Sequence, residues 1–104
     1  MSNYLLIMNP FPIEQKAEEV ADILKLLSHP KRFLILCKLR DWPKTVGDLE
    51  KNCTISQSQL SQFLSLMKDE WVLKSEKMGK FVFYSIADNR IRELMKQMQH
   101  IFCK

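Results

Sequence analysis

Residues 56–64 are rich in Ser and Gln, whose side chains are well suited to forming specific hydrogen bonds with another molecule. Ser and Gln both donate and accept hydrogen bonds, so they can pair with base edges in the major groove of DNA. At helical spacing they fall on one side of a helix, and that side is almost uncharged, which is unusual for a merely solvated surface. The plain alternative is an ordinary surface helix. The predicted DNA contacts are Ser56, Gln57, Ser58, Gln59, Ser61 and Gln62.

Three cysteines, Cys37, Cys53 and Cys103, are the second set of groups that could react. None has C-x-x-C spacing, and an odd number in a chain without a secretion signal argues against a structural disulfide framework. We therefore expect reduced thiols. Because the thiolate is the reactive form, a role in redox chemistry would depend on how readily each thiol ionises.

Neither catalysis nor metal binding is predicted. The chain has no Gly-rich phosphate loop, no Ser/His/Asp arrangement and no paired carboxylates, so we expect no enzyme activity and no cofactor. A dyad of Cys103 and His100 at the end of the chain is the remaining catalytic alternative. Zinc prefers four nitrogen or sulfur ligands, and the two histidines and scattered cysteines form no local cluster. We interpret His29 as a helix cap instead.

A predicted helix at 57–69 positions the polar residues. Ser56 is a favourable N-cap, and Gln59 three residues later completes the pattern of a capping box, in which each side chain bonds the other residue's backbone N–H. Apolar residues recur on the opposite side with helical spacing, so that side should face the core. They are Leu60, Phe63, Leu64 and Met67.

The remaining helices follow from the same kind of pattern. The second helix is apolar nearly all round, so we expect it to be the buried centre. Thr45 and Asp48 can cap the third helix. We interpret Trp42 and Trp71 as core or hinge anchors. An arm at 1–13 precedes the predicted helices, which cover 14–27, a stretch starting at Pro30, 45–51, 57–69 and a last stretch capped by Asp88 or Asn89.

Two stretches, 71–76 and 81–86, predict the strands of a hairpin, because they are rich in aromatic and β-branched residues. The turn between them, 77–80, contains a glycine that can take positive φ. Lys77 and Lys80 make this tip basic, and we expect them to contact phosphates beside the reading helix.

The resulting order of elements is α-α-α-α-β-β-α, which is mainly α with a β-hairpin. A helix-turn-helix at 45–51 and 57–69, followed by a basic hairpin, is a winged helix, and residues 14–104 form one such domain. The net charge of +4 suits a nucleic-acid partner, although many proteins are mildly basic. No apolar run long enough for a membrane span and no signal peptide occur, so we expect a cytoplasmic protein without membrane contact.

Four segments in this order resemble the ArsR/SmtB family of winged-helix transcriptional regulators, and the resemblance covers about 14–104. The segments are Leu27–Arg32 with Ile35-Leu36, Thr45–Leu49, Ile55–Gln62 and Phe83–Ile86. It implies a homodimer built by the first and last helices, and a helix 57–69 that enters the major groove of double-stranded operator DNA. Many members have His where this chain has Phe63, so we expect altered packing there.

Metal sites typical of the family are poorly matched. The third helix lacks a Cys-x-Cys motif, and His100 is the only histidine in the last helix. Cys37 and Cys103 instead occupy positions similar to those of the thiol-switch branch, the BigR, SqrR and HlyU-like regulators. The resemblance implies a repressor released from DNA when these two thiols are oxidised or bridged by reactive sulfur. Cys53 has no counterpart and is expected to be structural or incidental.

Several alternatives stay open. Cys37 could be merely a small buried hydrophobe and Cys103 a frayed terminal residue. The regulator could respond to a metal, or could activate by displacing another DNA-binding protein. A winged helix that serves only protein interactions is the alternative outside the regulator class.

Overall fold

A computed structural model describes residues 12–103 of the chain. These residues form five helices and a two-stranded hairpin in the predicted order α-α-α-α-β-β-α. Residues 1–11 of the expected N-terminal arm lie outside the described part. The elements are α1 (Ile13–Leu27), α2 (Pro30–Leu39), α3 (Val46–Asn52), α4 (Gln57–Asp69), β1 (Leu73–Met78), β2 (Phe81–Ile86) and α5 (Asn89–Phe102).

Side-chain caps fix where the helices begin. Thr45 and Asp48 form a complete capping box at the start of α3, with both hydrogen bonds at 3.1 Å. His29 accepts a hydrogen bond from the backbone N–H of Lys31 at 3.2 Å, and Asp88 accepts one from that of Arg90 at 2.9 Å. The predicted caps of α2, α3 and α5 are therefore confirmed. Each satisfies a backbone N–H that the helix itself leaves unpaired.

The second helix crosses the centre of the domain, as its apolar composition predicts. Its residues Ile35, Leu36 and Leu39 are almost completely excluded from solvent. The inner side of α4 packs into the same core through Leu60, Leu64 and Met67. Because removal of apolar surface from water drives folding, this shared core sets how α4 is oriented in the domain.

The hairpin pairs antiparallel from Leu73 opposite Ile86 to Met78 opposite Phe81. Its turn is therefore shorter than predicted, and β1 is shifted from 71–76 to Leu73–Met78. Gly79 has φ +65°, the left-handed conformation that a two-residue hairpin turn requires and that glycine adopts without strain. This tight turn allows pairing to continue to the last residue before it.

The hairpin is held at its base by the rest of the domain. The backbone groups of Lys44 and Tyr84 exchange two hydrogen bonds, of 2.9 and 2.8 Å, immediately before α3. At the other strand, the N–H of Val72 donates to the carbonyl of Met67 near the end of α4. The base of the hairpin is therefore tied to both helices of the helix-turn-helix, while its tip extends beyond these contacts.

Trp42 and Trp71 are predicted to be core or hinge anchors, and for the core this prediction is wrong. Trp42 lies in the loop after α2 and is 70% exposed, and Trp71 is 83% exposed. Trp71 has φ +63° in the turn that leads from α4 into β1. The next two residues, Val72 and Leu73, are buried in its place.

Candidate nucleic-acid interface and thiol pair

The polar side of α4 is presented to solvent as one surface. Gln57, Ser58, Ser61 and Gln62 are all exposed, because the opposite side of the helix is buried in the core. The structure therefore brings together these predicted contact residues on one helix face. Their side chains carry the donors and acceptors that recognition of base edges requires.

The start of α4 differs from the predicted capping box. Ser56 Oγ accepts a hydrogen bond from the backbone N–H of Gln59 at 3.2 Å, so the N-cap is confirmed. The reciprocal bond is missing, because Gln59 Oε1 instead accepts a hydrogen bond of 2.8 Å from Lys31 Nζ. The Gln59 amide is thus held by the first turn of α2. Its NH₂ group keeps its donors for a further partner.

Lys31 is a residue of this surface that the sequence did not reveal. It lies 28 positions before Gln59, and no local spacing pattern connects the two. Its only sequence signal is a position beside His29 and Pro30, at the start of α2. Phe63, the position at which the resemblance implies His, lies close by, with its ring centroid 4.9 Å from that of His29.

The predicted lysines of the hairpin are exposed near its tip. Lys80 lies in the turn and places Nζ 5.6 Å from the centre of the Phe81 ring, within reach of a cation–π interaction. Lys77 lies in β1 rather than in the turn. Two positive charges at the end of a projecting hairpin suit contact with a phosphate backbone.

Cys37 of α2 and Cys103 at the end of α5 open onto the same cleft. Both are free thiols, one buried and one exposed. Two residues far apart in the sequence are therefore brought to one site. The cleft has a volume of about 420 Å³ and is otherwise lined by Leu27, Phe33, Leu34, Met98, Gln99 and Phe102.

The surroundings of the two thiols differ. Burial raises the pKa of the Cys37 thiol, and the nearby Cys103 thiol adds to this rise, whereas the positive charge of Arg40 opposes it. The reactive thiolate is therefore disfavoured at Cys37. Cys103 is open to solvent. An electrophile that enters the cleft accordingly meets Cys103 as the accessible thiol and Cys37 as the shielded one.

Cys53 is separate from this pair. It is buried at the end of α3 and belongs to the hydrophobic core. Burial also raises the pKa of its thiol. These surroundings support the expectation that Cys53 packs as a small apolar side chain.

Within residues 12–103, no three His, Cys, Asp or Glu side chains come close enough together to hold a metal ion. His29 serves as the N-cap of α2 through Nδ1. In the same described range, no helix combines the length and apolar character needed to cross a membrane.

The chain was compared with known protein families, curated proteins and solved structures. The sequence profile described as "Bacterial regulatory protein, arsR family" matches residues 29–70. The chain is 34% identical to the biofilm growth-associated repressor of Xylella fastidiosa, over 88% of this chain and 80% of that protein. It is 35% identical to the transcriptional regulator YgaV of Escherichia coli, over 88% and 93%. The crystal structure of the transcriptional repressor BigR from Xylella fastidiosa superposes with a TM-score of 0.82 at 34% identity, covering 88% of this chain and 94% of that one.

Proposed function

Since the chain belongs to the ArsR family of bacterial regulatory proteins and is a DNA-binding transcriptional regulator, we propose that it is a thiol-controlled repressor. In its reduced form it binds operator DNA as a homodimer in the cytoplasm. It leaves the operator when Cys37 and Cys103 are oxidised or bridged by reactive sulfur. The similarity to the biofilm growth-associated repressor and to the structure of the repressor BigR supports this direction of control.

The DNA contacts proposed are those of the exposed side of α4. In a dimer, two α4 helices enter successive major grooves on one side of the duplex, about 34–36 Å apart. The lysines of the two hairpins then lie beside phosphates, and their charge makes binding depend steeply on salt because counterions are released. The contact residues are Ser56, Gln57, Ser58, Gln59, Ser61, Gln62, Lys77 and Lys80.

Exposed apolar side chains on α1 and α5 support the proposed dimer. Leu24 of α1 is 52% exposed and Phe102 of α5 is 76% exposed, and Val20 and Ile101 are exposed on the same two helices. Large apolar side chains exposed on two helices support an interface, since extended apolar surface in a soluble protein usually marks a contact site. Burial of these residues between two copies would remove them from water.

The thiol step can be written with inorganic hydrogen disulfide as the sulfur donor. The Cys103 thiolate attacks one sulfur of H₂S₂, the S–S bond breaks, and HS⁻ leaves, so that Cys103 carries a persulfide. The Cys37 thiolate then attacks the inner sulfur of this persulfide and expels a second HS⁻. The product is a Cys37–Cys103 disulfide. The two cysteine sulfurs lose two electrons in total, which reduce both sulfur atoms of the hydrogen disulfide to sulfide.

The observation that carries this proposal is the cleft shared by the two thiols. A disulfide needs Cα atoms within about 7 Å, and inserted sulfur atoms would extend that reach. Either bond would tie α2 to α5 within one subunit. Because α5 belongs to the proposed dimer interface and α2 holds Gln59, the crosslink would change the relative placement of the two α4 helices.

The experiment measures binding of the purified protein to a labelled duplex from its own promoter, first fully reduced and then after polysulfide treatment. We expect tight reduced binding that treatment abolishes, and binding by Cys37→Ser that treatment leaves intact. Cys53→Ser is the matched control, because it removes a buried thiol outside the cleft and should still respond. Binding by the wild type that survives treatment would refute the switch and leave DNA binding in place.

The binding assay distinguishes two of the alternatives, and expression after deletion of the gene distinguishes the third. A metal-responsive repressor would release the duplex on addition of a divalent cation, and polysulfide would not change its binding. An activator that displaces another protein would bind the duplex but lower expression when deleted. A protein-interaction module would not bind the duplex in either redox state.

A further inference from the structure

The tip of the hairpin exposes apolar side chains as well as lysines. Met78 is 57% exposed and Phe81 is 53% exposed. The two residues face each other directly across the strands, next to the turn. Side chains of directly opposed residues lie on the same face of a hairpin and contact each other. The tip therefore presents a two-residue apolar pair, defined here as the Met78–Phe81 pair.

This pair is directed away from the core. Leu73 and Ile86, which pair at the base of the hairpin, are buried. Successive side chains of a strand point to opposite faces, and Met78 is an odd number of positions from Leu73. The Met78–Phe81 pair thus lies on the face opposite the core-facing residues. Packing within the described chain does not account for it.

The tip is also placed and charged for contact with nucleic acid. The hairpin is tied at Tyr84 to Lys44, which precedes the N-cap of α3, and the chain from Tyr84 to Phe81 spans about 10 Å of strand. Lys80 places Nζ over the Phe81 ring on the side of the apolar pair, together with Glu76 nearer the base, and Lys77 pairs with Val82 on the opposite face. A lysine therefore flanks the tip on each of its two faces. Such a combination of apolar side chains and cations is complementary to a DNA groove bounded by two phosphate backbones.

We propose that the Met78–Phe81 pair enters the minor groove of duplex DNA and acts as an apolar wedge that bends it. This inference rests on the DNA-binding function described above. Phe and Met side chains can partly insert between base steps in the minor groove, unstack them and bend the duplex toward the major groove. The lysines at the tip hold the neighbouring phosphates while the apolar pair contacts the sugars and bases. The hairpin therefore contributes to recognition in two ways: its lysines bind phosphates, and its apolar pair deforms the DNA.

The test uses the full chain and the duplex that the wild-type protein enriches from a random-sequence library. Dissociation constants are measured over a range of salt concentrations, and bending is measured by energy transfer between dyes on the duplex ends. We expect Phe81→Ala to weaken binding about tenfold, near the low end of the effect of burying one phenyl ring. We also expect a straighter duplex and an unchanged salt dependence, because no phosphate contact is lost.

Two matched variants separate the wedge from its surroundings. Val82→Ala shortens another exposed apolar side chain at the tip, on the opposite face of the hairpin, and should bind and bend DNA as the wild type does. Lys77→Ala should lower the slope of log K against log salt by about 1, the signature of a phosphate contact. Lys77 is chosen over Lys80 because Lys80 also contacts Phe81.

Three outcomes would overturn the wedge. Phe81→Ala and Met78→Ala could both bind and bend DNA like the wild type, or Val82→Ala could lose as much affinity as they do. Self-association of the free wild type that Phe81→Ala abolishes would assign the pair to a contact between copies. Failure of the wild type to enrich any duplex is a separate result, which would refute the DNA-binding function itself.

Discussion

Lys31 Nζ donates a hydrogen bond of 2.8 Å to Gln59 Oε1, joining the first turn of α2 to the first turn of α4. Gln59 is thereby drawn out of the capping box that its spacing from Ser56 predicts. With its carbonyl oxygen engaged, the amide is oriented by a partly buried lysine rather than by solvent. A side chain that is oriented before binding loses less conformational entropy when it meets DNA.

Replacement of the lysine should therefore impair discrimination between DNA sequences. In Lys31→Met, which keeps an apolar stem but removes the donor, we expect the preference for the selected operator over random duplex to fall about fivefold, the equivalent of roughly 1 kcal/mol for one hydrogen bond. Competition binding measures this ratio. Lys38→Met, at the other end of α2, is the control, and an equal loss in both variants would contradict a specific role for Lys31.

The two thiols of the cleft should react at different rates. At neutral pH we expect iodoacetamide to modify Cys103 well before Cys37, because Cys37 is buried and its thiol pKa is raised. Only the thiolate reacts, so modification of Cys37 should accelerate as the pH is increased toward that raised pKa. Mass spectrometry of digests taken over time gives both rates. Equal rates at neutral pH would show that Cys37 is not shielded in solution.

Loss of the cap on α4 should destabilise the domain. Ser56→Ala removes the oxygen that accepts from the Gln59 N–H, and we expect the free energy of unfolding to fall by about 1 kcal/mol. Urea denaturation followed by circular dichroism measures the change. Ser58→Ala removes another exposed serine from the first turn without touching the cap. An equal fall in the free energy of unfolding of Ser58→Ala would show that the destabilisation does not come from loss of the cap.

A charge on the exposed side of α1 should prevent dimerisation. Leu24→Glu places a carboxylate among apolar side chains of the proposed interface, where an unpaired charge is costly to bury. We expect monomers in analytical ultracentrifugation. We also expect the affinity for the operator to fall to that of one subunit, which contacts DNA through a single α4 helix. Trp42→Glu, the same kind of change at an exposed loop residue, should remain dimeric. Dimers of Leu24→Glu would exclude this face of α1 from the interface.

Much of this fold could be predicted because its signals are local. The cap formed by Thr45 and Asp48 depends on residues three positions apart, and the apolar side of α4 depends on one helical period. The exposed placement of Gln57 and Ser61 follows from the same period. Their roles as DNA contacts remain predictions, because exposure alone does not identify a partner.

Other features depend on which elements meet in space, and the sequence does not encode these locally. The contact of Lys31 with Gln59 requires the packing of α2 against α4. Trp71 illustrates a different failure: its size favours burial, but its place in a left-handed turn between α4 and β1 leaves it in solvent. The shift of β1 has a third cause, since the length of a hairpin turn decides which residues pair.

Cys37 and Lys31 belong to the same ten-residue helix. Six positions of α-helix separate them by about 9 Å along the axis, and so short a segment moves as a rigid rod. Any displacement of α2 at its thiol end is therefore also a displacement of the amine that holds Gln59. The proposed redox thiol and the lysine that holds the proposed base contact are therefore less than two turns of one helix apart, with no hinge between them.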